Sequence, residues 1–337
     1  MQEWQILAIF LSQAGKRRIK LDKLPISVQN APMSHAQQAQ IPGSFHFVRA
    51  YAKINLTLDV LGKRTDGYHE LATVMQTIDL YDTLCLTLTE DRHIEVFCDT
   101  PELSTRDNLA ARAAERILQH TTYPGGLTIE LSKRIPMAAG LGGGSSDAAA
   151  VLLALQEWWK IPLSQAEMVA LAASLGSDVP FFLTGGLALC EGRGEVVTPL
   201  SSPETGFMRW LVLVKPPIGL STATIFRQLS ASDYTDGSYS RAFSASVQAG
   251  AGLQKSFLHN SLERGVLERY PEVSRAKADM LHAGAQWVQL SGSGPTLFAP
   301  FPELKAAFDV QQRLQAQGHA VYLSHAVHPN SGNVRFY

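Results

Sequence analysis

The sequence predicts a mixed α+β chain of two domains, and three observations carry that expectation. At 337 residues the chain exceeds one ordinary domain, and each half is long enough to bury a core. Alternating apolar residues mark strands in both halves, interleaved with capped, apolar-faced helices. A composition break from Leu200 to Gly206, with Pro199 and Pro203, separates an expected domain over 44–200 from a second over 201–337.

Composition narrows the function classes. Hydrophobic residues make up 45% and charged residues 18%, ordinary for a globular protein. The 29 basic and 30 acidic side chains leave a net charge of -1, which argues against a nucleic-acid surface. Cys85, Cys98 and Cys190 are far apart without CxxC spacing, so they read as buried thiols and form neither a disulfide framework nor a zinc site.

Residues 1–43 stand apart as an N-terminal extension expected to be mobile. The apolar run Trp4 to Leu11 is too short to span a bilayer. The basic cluster Lys16, Arg17, Arg18 and Lys20 follows it, the wrong order for a secretory signal. Gln29 to Gly43 is rich in Gln, Ala, Ser and Pro, Met33 is a candidate true start, and Glu3 and Asp22 argue against an organelle-targeting peptide. Cytoplasmic residence is the expectation.

Arg49 to Val60 alternates through Ile54, Leu56, Leu58 and Val60, which predicts a half-buried strand with Lys53 and Asn55 together on one face. A turn follows at Lys63 to Gly67, then Tyr68-His69-Glu70 opens a new segment, and Leu84, Leu86 and Leu88 mark another strand. Asp107 is expected to cap a helix through Leu109, Ala113 and Ile117. Leu127, Ile129 and Leu131 predict a strand leading into a Gly-rich loop. Ser164 and Glu167 form a capping box for a helix that Gly176 closes. In the second half, strands are expected at Trp210 to Lys215, around Val288 to Phe298 and at Ala320 to Leu323. Helices are expected from Ser221 and over Pro302 to Gln317, and Leu229 to Arg241 reads as a long surface loop.

The loop Pro136-Met-Ala-Ala-Gly140-Leu-Gly142-Gly143-Gly144-Ser145-Ser146-Asp147 is the centre of the functional reading. Four glycines and two serines opening onto a helix expose backbone N–H groups at the positive end of its dipole, a site for phosphate. No lysine follows Gly144, so the loop is not a Walker A motif. Ser145 stands where a dinucleotide fingerprint wants Gly or Ala, and Asp147 where a nucleophile elbow wants Gly. Asp178, just past a helix end and ahead of Pro180, Phe181 and Phe182, suits a general base; a turn aspartate satisfied by backbone amides is the alternative.

Three of these stretches carry a family resemblance. Ala52-Lys53-Ile-Asn55-Leu56, Pro136 to Ser146, and Leu290-Ser-Gly-Ser-Gly-Pro-Thr296 resemble, in order, the signature motifs of the GHMP small-molecule kinases. Gly62 to Leu71 and Gly176 to Pro180 resemble, more narrowly, the branch that acts on a cytidyl-diphosphate-linked methylerythritol in non-mevalonate isoprenoid synthesis. The resemblance covers residues 46 to 325 and implies an N-terminal domain resembling the second domain of ribosomal protein S5, followed by a C-terminal α/β domain. It implies transfer of the γ-phosphoryl group of ATP to the tertiary 2-hydroxyl of the acceptor.

By the same resemblance, Asp178 is the base and Lys53 its partner, stabilising the alkoxide. Pro136, Met137, Ala138, Ala139, Gly140, Leu141, Gly142, Gly143, Gly144, Ser145 and Ser146 would cradle the ATP phosphates, and Asn108 would face the nucleotide. Asn55 and Thr222 would bind the acceptor, Tyr68 and Phe226 would sandwich its cytosine, and His69 would read the ring edge. Magnesium would ride mainly on ATP; Ser146 is the one side chain suggested for it, and no metal-binding residue is assigned. The Ser291 to Gly294 loop would support the phosphate loop or the substrate, against the alternative of a plain turn. The expected partners are a small molecule and ATP, with no nucleic acid and no membrane, in a monomer or weak homodimer. A GHMP kinase acting on mevalonate, homoserine or a sugar is disfavoured by Tyr68-His69. A silent ligand sensor is disfavoured by intact Lys53 and Asp178.

Overall fold

The computed structural model describes residues 43–201, 209–250 and 255–327. The N-terminal extension up to residue 42 and most of the expected domain boundary, 202–208, lie outside the described residues.

The first half is built on a long antiparallel ribbon of β1 (Phe45–Lys63) and β2 (His69–Thr89). Asp66-Gly67 makes the tight turn between them. Gly67 takes φ 87°, which favours glycine, and Asp66 Oδ1 accepts the Tyr68 amide at 3.0 Å. Next come β3 (Ile94–Cys98), α1 (Leu109–Leu118), β4 (Gly126–Ser132), α2 (Gly143–Trp158), α3 (Gln165–Leu175), α4 (Val179–Thr184), β5 (Leu187–Gly192) and β6 (Val196–Leu200). The strand order is β3-β4-β2-β1, with β5 pairing the other stretch of β2 and β6 pairing β5. Helices α1 to α4 pack their apolar residues with those of β1, β2 and β4 in one core. Helix α2 is buried from Ser146 through Leu152, which fits its Ala- and Leu-rich composition on every face.

The second half contributes β7 (Trp210–Lys215), α5 (Thr222–Arg227), α6 (Ser238–Gln248), β8 (His259–Asn260), α7 (Glu263–Arg269), α8 (Pro271–His282), β9 (Gln289–Leu290), β10 (Leu297–Phe301), α9 (Leu304–Ala316) and β11 (Ala320–Ser324). Four of its strands form a second sheet in the order β11-β7-β10-β9, and every pairing in it is antiparallel. The short β8 instead joins the first sheet, parallel to β1 at Thr57 and Leu58. An apolar cluster of Ile54, Leu56, Val74, Leu213, Phe243 and Phe298 links β1 and β2 to the second sheet and α6.

Four expectations are corrected. Asn108, not Asp107, caps α1, its Oδ1 accepting the Ala110 amide at 2.9 Å. Cys98 is only partly buried, whereas Cys85 and Cys190 are buried. The stretch 229–241 holds a 3₁₀ turn and the start of α6, whose buried residues Ser240, Phe243, Ser244 and Val247 follow helical spacing. Strand β1 is buried on both faces from Tyr51 to Val60, not half-buried, because its polar side chains find partners inside the protein. Thr57 Oγ1 lies 2.8 Å from Ser240 Oγ. Asp59 accepts the Ser240 amide at 2.8 Å, its hydroxyl at 2.6 Å and the Thr235 hydroxyl at 2.7 Å.

Asp59 therefore fixes α6 to the central ribbon. Asp59→Ala leaves three donors without their acceptor, and the free energy of unfolding measured in urea is expected to fall by about 3 kcal/mol.

Candidate active site

Lys53, Asn55 and Asp178 meet at the centre of β1. Residues two apart on a strand share a face, which sets Lys53 Nζ 2.7 Å from Asn55 Oδ1. Asn55 Nδ2 in turn donates to Thr73 Oγ1 at 2.8 Å, and that hydroxyl donates to the Thr57 carbonyl. The chain of donors orients the amide so that its oxygen faces the ammonium. Asn55 is thereby engaged at both ends within the protein: it holds Lys53, where the sequence suggested substrate. Asp178 precedes α4, yet its carboxylate makes no capping bond there. It lies 3.5 Å from Lys53 Nζ and is partly open to solvent, so the turn-aspartate alternative loses its basis.

The glycine loop lies beside this pair. Positive φ recurs at every second residue, 48° at Ala138, 74° at Gly140 and 71° at Gly142. The loop's carbonyls are taken up elsewhere: Ala138 O accepts from Leu220 N, Ala139 O from Thr296 N, Gly140 O from Ser291 Oγ at 3.0 Å and Leu141 O from Lys53 N at 3.0 Å. With the oxygens turned outward, the amide edges are left for an anion, in the manner of a backbone nest. Gly143, Gly144 and Ser145 open α2, and their N–H groups have no partner within the helix.

The second Gly-Ser loop braces the first. A Cβ at Gly140 would sit 2.2 Å from Ser291 O, and one at Gly292 would sit 3.0 Å from Asn55 Oδ1. Asn260 Nδ2 holds this brace through the carbonyls of Leu290 and Gly292, both at 2.9 Å.

Lys53, Asn55, Asp178, Gly292 and the glycine loop from Pro136 to Ser145 line one cavity of about 1140 Å³, together with Asn108, Tyr68, His69, Thr222 and Phe226. Ser146 is the exception. One helical step beyond Ser145, it is buried, and its hydroxyl donates to the Tyr51 carbonyl at 2.6 Å. Asn108 reaches the cavity while its side chain caps α1 and donates to Leu103 O. Among the described residues no group of three His, Cys, Asp or Glu side chains is gathered as for a metal.

Elsewhere along the cavity the His69 ring lies 5.3 Å from Phe226 and 6.1 Å from Tyr234, centre to centre. Burial, reinforced by the charge of Lys63, holds the His69 pKa below its ordinary 6.5. The neutral ring offers one donor and one acceptor nitrogen. Tyr68 is exposed, with the Arg193 guanidinium 4.8 Å from its ring centre. Thr222 Oγ1 lies 3.0 Å from Ser293 Oγ.

Sequence reasoning missed Arg193, Tyr234 and Lys133, which also line the cavity. A tyrosine pair, Tyr234 and Tyr239, within a Ser-, Asp- and Gly-rich stretch was a signal for Tyr234. A lysine between a strand and a glycine loop was one for Lys133.

Comparison with known proteins places this geometry. The chain matches the GHMP kinases N terminal domain over residues 108–186 and the GHMP kinases C terminal domain over 245–320. The 4-diphosphocytidyl-2-C-methyl-D-erythritol kinase of Shouchella clausii is 44% identical over 254 residues, covering 74% of this chain and 84% of that one. The enzyme of the same name from Pelotomaculum thermopropionicum is 41% identical over 283 residues, covering 83% and 97%. A crystal structure of 4-(cytidine 5'-diphospho)-2C-methyl-D-erythritol kinase gives a TM-score of 0.71 at 34% identity, covering 83% of this chain and 98% of that one. A homoserine kinase from Cytophaga hutchinsonii, at 18% identity and a TM-score of 0.63 over 87% of this chain and 97% of that one, shares the fold.

Gly140→Ala tests the brace between the two loops. A methyl at positive φ, aimed at the Ser291 carbonyl, is expected to lower the unfolding free energy by about 2 kcal/mol, read from a thermal melt, and to weaken Mg-ATP binding in a calorimetric titration.

Proposed function

Because the chain belongs to the GHMP kinase family, in its 4-diphosphocytidyl-2-C-methyl-D-erythritol kinase branch, we propose that it moves the γ-phosphoryl group of ATP to the 2-hydroxyl of that cytidyl-linked acceptor. The observation that carries the proposal is the Lys53–Asp178 pair, set beside amides free to bind phosphate. Phosphoryl transfer needs positioning and charge neutralisation more than covalent help.

In this reading the amides of Gly143, Gly144 and Ser145 hold the ATP phosphates. Asp178 accepts the proton as the acceptor oxygen attacks the γ-phosphorus, and the bond to the ADP oxygen breaks. The Lys53 ammonium lowers the energy of the developing alkoxide. Because the buried Lys53 is fixed by Asn55 before reaction, little reorganisation is needed when that charge appears. Magnesium would be carried mainly on ATP with its own waters and would neutralise phosphate charge.

Tyr68 and Phe226 would supply the faces and His69, with Tyr234 beside it, the edge for a cytosine ring. Thr222, beside Ser293, would contact the acceptor near its phosphates. The family matches fall on either side of residue 200, which supports an ATP-binding domain over 44–200 and a C-terminal domain over 201–337. A cytoplasmic enzyme fits the three free cysteines. No helix among the described residues is long and apolar enough to cross a membrane.

ADP release with Mg-ATP and, separately, the cytidyl acceptor, mevalonate, homoserine and galactose is the decisive assay. Turnover is expected with the cytidyl acceptor alone. Asp178→Asn is expected to cut kcat by about 10²- to 10⁴-fold. Turnover of another substrate would overturn the acceptor assignment, and full activity of the variant would overturn the base.

Phe226→Ala, compared under the same conditions, is expected to raise the acceptor KM by about tenfold with the ATP KM unchanged.

A further inference from the structure

Beneath the glycine loop lies a group of buried charges that the reaction itself does not use. The side chains of Lys133, Asp82 and Asp147 are 7%, 0% and 3% exposed. Lys133 Nζ donates to Asp147 Oδ2 at 2.7 Å and forms a second, short contact with Asp82 Oδ2. Asp82 Oδ1 accepts the amides of Arg134 and Ile135, at 2.5 and 2.8 Å, and Asp99 accepts the Lys133 amide and the Ser132 hydroxyl. The stretch entering the loop is thus fastened to β2, while Asp147 sits in α2 just after the loop ends. One ammonium closes the loop at its base.

The same ammonium reaches the loop's functional end. A Cβ at Gly143 would lie 3.3 Å from Lys133 Nζ and 3.0 Å from Ile135 Cγ2. A side chain at the first residue of α2 would press on Ile135 first and on the Lys133 ammonium next, so the clamp and the start of the helix are in close contact. We propose that Lys133, gripped by Asp82 and Asp147, is the positioning residue of the nucleotide half of the site. It sets the span of the loop and so the direction of the Gly143 and Gly144 amides. The inference rests on the reading of this loop as the ATP site.

The test must separate positioning from folding. Removing Lys133 alone leaves two buried carboxylates facing each other, which can unfold the protein. Neutralising all three avoids this. Burial pushes the Asp147 carboxyl up despite Lys133, and its Oδ1 has no hydrogen-bond partner in the protein, so once the lysine is gone an amide is better tolerated there than a carboxylate. The triple variant Lys133→Met, Asp82→Asn, Asp147→Asn is expected to melt near the wild-type temperature. Calorimetric titration is expected to show Mg-ATP bound about 10- to 100-fold more weakly, with cytidyl-acceptor affinity changed less than about threefold.

Lys133→Arg keeps the charge but has no room beside Gly143, and is expected to raise the ATP KM while sparing the acceptor KM. Wild-type ATP affinity in both variants, or an equal loss for both ligands, would overturn the inference. If the wild-type protein itself bound no Mg-ATP, the nucleotide reading would fall, and the inference with it.

Discussion

The site depends on where four carbonyl groups point. A loop that binds phosphate through its backbone must offer amides, yet every amide comes with an oxygen that repels an anion. Here the oxygens of Ala138, Ala139, Gly140 and Leu141 accept hydrogen bonds from groups on other segments, from Lys53 on the central strand to Leu220, Ser291 and Thr296 in the second half. Buried backbone groups seldom go unpaired, so each outward oxygen is also a fixed point of the fold. The conformation of the glycine loop and the junction between the two halves are built from the same hydrogen bonds.

Lys53 illustrates this double use. Its amide orients the loop, its ammonium faces Asp178, and its neighbour Asn55 holds that ammonium in place. A long flexible side chain ordinarily loses rotamer entropy when it binds, about 1.5 to 2 kcal/mol for lysine. Burial inside the sheet settles that loss during folding, before any substrate arrives. A second lysine, Lys133, is held with comparable rigidity by two carboxylates on the other side of the loop.

Much of this was legible in the sequence because the relevant spacings are short. Lys53 and Asn55 share a face by strand geometry, and the loop announced itself by its glycines. The failures have physical causes. Ser146 follows Ser145 in the chain, but one helical step rotates it toward Tyr51 and out of the cavity. The helix from Ser238 was read as loop because its buried face is half serine, and a serine counts as core only when an Asp59 waits to bond it. Strand β1 was read as half exposed for the same reason. Polar alternation signals water only until another element covers it. The aromatic group at the acceptor end was half legible: His69 and Phe226 stood out, whereas Tyr234 arrives from a stretch whose composition hides it.

The two-residue strand His259–Asn260 has a consequence for how this architecture tolerates rearrangement. It threads the second half of the chain into the first sheet, beside Thr57 and Leu58, and its Asn260 then carries the brace under the glycine loop. A chain severed near residue 200 would leave one fragment with an unpaired sheet edge and the other with a brace that has nothing to hold. The two halves are interlaced, so neither is a portable module.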